Sequence, residues 1–265
     1  MSDSSPQSPS ARDRRAMRQR LESLAMSGVT ELPRMHSDRR SSNTVSPVVQ
    51  EVKESHAVVK KSSLQKTETN TATTSSCELK RSQLEVLDQQ VRECRTCSEL
   101  ASARTNTVFG SGNPAARICF FGEAPGAEED ATGQPFVGRA GQLLTKIIES
   151  CTLSREDIYI LNVLKCRPPG NRPPDSKEIG NCRSYFLRQL EIISPEFICC
   201  LGTTAAQSLL ETQETIGKLR GRWFTHGTAH VICTYHPSYL LRNPSAKRHV
   251  WDDMKLLMQR LGVEL

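Results

Sequence analysis

No phenylalanine, tyrosine or tryptophan occurs before Phe109, and all thirteen aromatics of the 265-residue chain lie from there onward. The first 80 residues also contain 23 Ser or Thr. A segment with so little to bury cannot offset its chain entropy, which excludes an independent core there. Residues 1–80 therefore read as a disordered tail, mildly basic with 13 Lys or Arg against 9 Asp or Glu. Within it, "RDRRAMRQRLESLAMSG" repeats Met17, Leu21, Leu24 and Ala25 at helical spacing before Gly28, so a short helix is expected at 11–27. That segment is either a docking helix or a transient helix in a basic tail, and its partner is unknown.

Long apolar runs are also missing. Neither the h-region of a signal peptide nor a stretch of membrane-spanning length is present, which points away from secretion and membranes and toward the cytoplasm. In that reducing setting the ten cysteines are core residues or metal ligands rather than a disulfide framework. The net charge of +6 permits an anionic partner such as nucleic acid without requiring one.

From Arg117 onward short apolar runs alternate with amphipathic stretches. "RICFFGE", "DIYILNVLKC", "EFICCLG" and "HVICTYHP" read as buried strands. Between and after them lie helical patterns: "GRAGQLLTKIIESC", the segment after a capping box at Asp175 and Glu178, "TTAAQSLLE" and "AKRHVWDDMKLLMQRLG". Strands alternating with helices specify an α/β fold with a parallel sheet covered on both faces. In such sheets ligands bind beyond the carboxyl ends of the strands. Three of these strands end in polar loops: "GEAPGAEEDATGQPF", "NVLKCRPPGNRPP" and "HPSYLLRNP". The topology would gather them into one site.

Four cysteines, none of them in the middle of a strand run, form a suggestive arrangement. Cys94 and Cys97 form a Cys-x-x-Cys pair in polar surroundings, away from any strand–helix redox context. Cys166 and Cys182 bracket a proline-rich loop, each flanked by residues that prefer turns or solvent. Four thiolates suit zinc or an iron–sulfur cluster about equally on spacing alone. The remaining cysteines fall in strand runs, at a helix end (Cys151) or in the tail (Cys77). The tip "RPPGNRPP" is stiff and basic, a surface suited to a phosphate backbone.

The three loop motifs, with this cysteine spacing, resemble the family 4 uracil-DNA glycosylases from about Leu84 to the C-terminus. The resemblance implies a three-layer α/β/α sandwich with a central parallel four-stranded sheet over residues 81–265. It also implies a [4Fe-4S] cluster held by Cys94, Cys97, Cys166 and Cys182. The activity it implies is monofunctional: uracil is flipped from single- or double-stranded DNA and its N-glycosidic bond hydrolysed, by a monomer. Phe136 would stack on the base, against the alternative of an ordinary core Phe. Asn162 would read uracil O4 and N3–H, against a structural cap of the strand end. His236 would stabilise the charge developing on uracil O2. Ser238 and Arg242 would meet phosphates, and Leu240 would wedge into the gap left by the flipped base unless it packs in the core. Gly122, Ala124 and Gly126 of the first loop would face the base.

The water-positioning group is the open question. Where the best-known uracil glycosylases carry an Asp this chain has Ala124, and the family 4 pattern lacks that Asp as well. Glu123, Glu129 and Asn171 are the candidates. Gly126 stands where relatives carry a thymine-excluding aromatic, a task that Glu129 would take over. Two other functions remain compatible with the residues: an iron–sulfur DNA-binding module without turnover, and a glycosylase for another deaminated base.

Overall fold

In a computed structural model of the chain, residues 68–263 are described; the rest of the expected tail, including the helix at 11–27, lies outside them. The first described element, α1 (Glu68–Glu93), begins inside the stretch read as tail. Its Leu84, Leu87 and Val91 are buried, and Lys80 donates from Nζ to the Ile193 carbonyl at 2.8 Å. The folded body therefore starts before residue 81. A short helix α2 (Ser98–Ala103) and a two-residue strand β1 (Ser111–Gly112) follow.

The apolar run at 118–122 forms β2 (Ile118–Gly122), with every residue buried. It leads into α3 (Ala127–Thr132) and α4 (Arg139–Ser150), then β3 (Tyr159–Asn162). The proline loop makes one tight turn at Pro169–Asn171 before α5 (Ser176–Ile193). The capping box is formed as expected: Glu178 N–H donates to Asp175 Oδ1 at 2.7 Å, and Asp175 N–H returns to Glu178 Oε2 at 2.9 Å. Next come β4 (Phe197–Leu201), α6 (Thr203–Leu210), the single turn α7 (Ile216–Leu219), β5 (Trp223–His226) and β6 (Ala229–Thr234). The chain closes with α8 (Pro237–Arg242) and α9 (Lys247–Arg260).

The strands lie in the order β1-β3-β2-β4-β6-β5. The four central strands are parallel, as expected; β1 and β5 add antiparallel edges. Because successive strand residues point to opposite faces, one sheet builds two cores. Cys119 and Phe121 of β2 pack with Phe186 and Leu190 of α5 and with Leu84 of α1. Ile118 and Phe120 pack with Leu144 and Ile148 of α4 and with Met254 and Leu257 of α9. This is the three-layer sandwich, and it explains why the strand runs carry no polar alternation. No described helix is long and apolar enough to cross a membrane.

Candidate active site

All four parallel strands deliver residues at their carboxyl ends. Past the end of β2, Val163 and Leu164 donate backbone N–H groups to the carbonyls of Gly122 (2.9 Å) and Glu123 (3.1 Å). These bonds carry the β2–β3 pairing beyond the strands and hold the Asn162 loop beside Gly122. Gly122 has to be glycine here: a Cβ would run into Asn162 Oδ1 and stand 2.7 Å from Cε2 and Cζ of Phe136. The Asn162 amide and the Phe136 ring thus converge on one point. Asn162 is 1% exposed, and its Oδ1 has no hydrogen-bond partner within the protein. A buried acceptor left open costs free energy unless a ligand satisfies it.

His236 completes the group. Its ring lies 5.6 Å from that of Phe136, centroid to centroid, and Gly202 at the end of β4 lets it approach. A Cβ at Gly202 would come within 3.0 Å of His236 Cβ. His236 caps α8, its Nδ1 accepting the Ser238 backbone N–H at 3.1 Å, with the Ser238 hydroxyl at 2.8 Å. An Nδ1 that accepts carries no proton, so the neutral ring keeps its proton on Nε2. Burial first, and then the charge of Arg242, lower the imidazole pKa to about 4, with Glu129 opposing. At neutral pH the ring is an uncharged donor.

The other candidates divide. Glu123 accepts from the Thr204 hydroxyl at 2.5 Å. Glu129 accepts three backbone N–H groups, from Gly126 (3.1 Å), Val137 (3.0 Å) and Gly138 (2.9 Å). Its carboxylate is therefore engaged in holding the loop, and Oε2 fills the space that a side chain at Gly126 would occupy. Asn171 is exposed and accepts from Arg167 Nε at 2.8 Å within its own turn. Ala124 packs at the edge of the core. Arg242 is exposed on α8, and Ser238 Oγ faces His236.

Leu240 corrects an expectation. It is 1% exposed, packed in the core with α4 and α9, so it is no wedge in this conformation. Its neighbours Tyr239 and Leu241 are each 39% exposed, because one turn of helix points adjacent residues in different directions. Arg172 is a second correction: it is not free for a phosphate, since it pairs with Glu178 (2.6 Å) and Glu99 (3.0 Å).

The expected ligand cysteines come together from three parts of the chain. Cys166 and Cys182, read as solvent-flanked, are 7% and 6% exposed and belong to the core; tertiary cover overrides their polar neighbours in sequence. Arg104 donates from Nη1 to Cys166 Sγ at 2.9 Å and from Nη2 to the Cys94 carbonyl at 2.9 Å. Asn181 donates from Nδ2 to Cys97 Sγ at 3.2 Å. Burial raises the Cys166 pKa and takes Cys182 to about 11, and nearby thiols add to both. Burial also opposes ionisation of Cys94, but hydrogen bonds with Thr96 and Tyr185 outweigh it and hold that pKa down. Among the described residues no three Cys, His, Asp or Glu side chains sit close enough to share one metal ion.

Between the two groups lies Lys165, 1% exposed, with Nζ donating to the carbonyls of Asn162 (2.8 Å) and Phe109 (3.3 Å). Burial lowers its pKa to about 7 against the pull of Cys182, Cys119 and Cys166. Lys165, Arg155, Gly202 and Thr204 were not singled out from the sequence. For Gly202 the signal existed: the carboxyl-end rule applied to the run "EFICCLG" as well.

Residues 109–255 match the Uracil DNA glycosylase superfamily. The chain is 47% identical over 178 residues to the type-4 uracil-DNA glycosylase of Thermotoga maritima, covering 65% of this chain and 91% of that protein. It is 44% identical over 192 residues to the Archaeoglobus fulgidus type-4 enzyme, covering 68% and 95%. The chain belongs to the type-4 uracil-DNA glycosylase family. A type-5 uracil-DNA glycosylase from Pyrobaculum aerophilum is 32% identical over 146 residues, covering 49% of this chain and 64% of that protein. Asn162 Oδ1 is thus a buried acceptor without a protein partner, next to the Phe136 ring that His236 adjoins.

Proposed function

We propose that the chain is a monofunctional uracil-DNA glycosylase that excises uracil from DNA by hydrolysis of the N-glycosidic bond. The observation that carries this reading is the unpaired Asn162 Oδ1, buried beside the Phe136 ring with His236 next to it. Uracil presents N3–H to an acceptor and O4 to a donor, and one amide offers both; cytosine presents the reverse. The base would stack on Phe136, and removing it from the duplex is the step that makes this edge readable. As the glycosidic bond breaks, negative charge collects on uracil O2. His236, neutral and donating through Nε2, is oriented by Ser238 to meet it.

The attacking water would be positioned by Glu123, whose carboxylate is oriented by Thr204. Glu129 is better suited to exclude thymine from the space over Gly126. A covalent imine mechanism finds no support in Lys165, whose ammonium is buried and bound to the backbone carbonyls of Asn162 and Phe109. Arg242 and the exposed face of α8 would contact the DNA backbone.

Cys94, Cys97, Cys166 and Cys182 would hold a [4Fe-4S] cluster. The donor set fits: four thiols, with N–H donors aimed at the sulfurs of Cys166 and Cys97. Each cysteine of such a cluster binds its own iron, so the sulfurs need not meet at one point. When bound, the cluster would cross-link the proline loop to α1 and α2. A monomer acting in the cytoplasm suits the described cysteines, which are all free thiols.

The test is incubation with oligonucleotides carrying a single uracil, thymine or hypoxanthine, followed by alkaline scission. Cleavage is expected at uracil alone. Binding without cleavage would favour a DNA-binding module, and cleavage at hypoxanthine a different base specificity.

A further inference from the structure

Phe136 sits at φ +53°, a backbone region that bulky side chains rarely adopt. The surroundings hold it there from both sides. Ahead of and at Phe136, Arg155 donates from Nη2 to the Pro135 carbonyl (2.7 Å) and from Nη1 to the Phe136 carbonyl (3.1 Å). Beyond it, Glu129 Oε1 accepts the N–H groups of Val137 (3.0 Å) and Gly138 (2.9 Å). Gly141 is the third element, since a Cβ there would collide with the Phe136 carbonyl.

The geometry of the guanidinium matters. The dihedral φ of Phe136 is the angle between the carbonyl carbons of residues 135 and 136 about the N–Cα bond. A planar fork that binds both carbonyl oxygens constrains φ and ψ of Phe136 together, and an ammonium on a flexible stem cannot do the same. Arg155 has no carboxylate partner among the described residues. Its third bond, from Nη1 to Thr145 Oγ1 at 3.2 Å, ties it to α4. A half-buried guanidinium without an acid partner, given entirely to two carbonyls and a hydroxyl, is poorly explained as a surface charge.

We propose that Arg155 is a positioning residue for uracil excision, clamping the Pro135–Phe136 backbone so that the Phe136 ring stays at the base site. Glu129 is the anionic half of the same clamp. This rests on the reading of Phe136 as the base-stacking residue, and the experiment separates the two.

Single-turnover rates on a uracil oligonucleotide would be measured for the full-length holoprotein and for Arg155→Met, Arg155→Lys, Phe136→Leu and the Arg155→Met/Phe136→Leu double variant. Arg155→Met should lose roughly tenfold in rate, within the range seen for side chains that act through one another. The double variant should be no slower than Phe136→Leu, because Arg155 then has no ring to position. Arg155→Lys should not restore the rate; in Arg155→Ala, measured alongside, the loss should match Arg155→Met and millimolar guanidinium should restore part of it. If Phe136→Leu keeps the wild-type rate, the stacking reading fails. If Phe136→Leu is slow but the two losses multiply, the clamp is wrong and the stacking reading stands. Should Arg155→Met fail to fold, Arg155→Lys decides: a wild-type rate there overturns the clamp.

Discussion

The region of the four cysteines and the region of Asn162, Phe136 and His236 come within four residues of each other in sequence, at Asn162 and Cys166, and they treat polar groups in opposite ways. Around Cys94, Cys97, Cys166 and Cys182 donors are turned onto sulfur: Arg104 to Cys166 and Asn181 to Cys97. Lys165, one residue before Cys166, has its ammonium bound to two carbonyls. Three residues earlier, Asn162 is equally buried, yet its side-chain oxygen is left open. The first region is closed upon itself, which would suit the proposed role of holding a cluster by fixed ligands. The second keeps an unmet hydrogen bond, as a site must if a substrate is to supply the partner. Cys166, Cys182 and Asn162 are all buried, and what separates the two regions is whether the polar atoms are already satisfied.

The largest effect should come from breaking the closed side. Cys166→Ser should lose most of the about four irons expected for a [4Fe-4S] protein, and with them the visible absorbance and the order of the proline loop. Iron analysis and visible spectroscopy check it, and a variant with full iron content would remove Cys166 from the ligand set.

On the open side, His236→Ala should lower the single-turnover rate about a hundredfold, near 3 kcal/mol, the usual loss for one oxyanion donor. Affinity for uracil-containing DNA should change much less. A proportional fall in affinity would make His236 a binding residue instead. Asn162→Asp should abolish uracil excision, since an ionised carboxylate cannot donate to O4; retained activity on the same oligonucleotide would argue against Asn162 as the reader.

Leu240→Ala and Leu241→Ala separate core from surface on a single turn of helix. Leu240→Ala should destabilise by about 2–5 kcal/mol, as for a buried leucine, and lower the denaturant midpoint. Leu241→Ala should leave the midpoint nearly unchanged and weaken DNA binding. The reverse pattern would return the wedge role to Leu240.

The smallest change concerns pH. In the proposed mechanism His236 acts as the neutral ring, and its pKa is lowered to about 4 from an ordinary value near 6.5. The rate should therefore stay flat as pH falls from 7 toward 5 and drop only on approaching 4. The unfolded chain takes up the proton near pH 6.5 while the folded one does not, so this histidine's contribution to stability declines through the same window. A rate that rises as pH falls through 6 would indicate an imidazolium instead.

The four parallel strands, the helices between them and the Asp175–Glu178 cap were legible in the sequence because they depend on short-range pattern: side-chain periodicity, and bonds between residues three apart. Asn162, Phe136 and His236 were legible as well, since each heads or ends a motif at a strand's carboxyl end. The helix at 68–93 left a weaker trace, Leu84, Leu87 and Val91 at helical spacing under a polar majority. The edge strands left almost none, one being two residues long and the other only partly buried. What only the tertiary structure decided is which long-range partner each group meets. Leu240 and Leu241 are indistinguishable as letters, and the packing of α4 and α9 buries one and leaves the other exposed. Cys166 and Cys182 carry polar neighbours in sequence but are buried, Cys182 on α5 itself, in the core that α1 and α5 share with the sheet. Arg155 stands 19 residues from the carbonyl of Phe136, in a segment with no motif of its own. Periodicity records which face of an element is buried, whereas a hydrogen bond from a guanidinium to a backbone carbonyl leaves no mark on the sequence, because every residue carries that carbonyl.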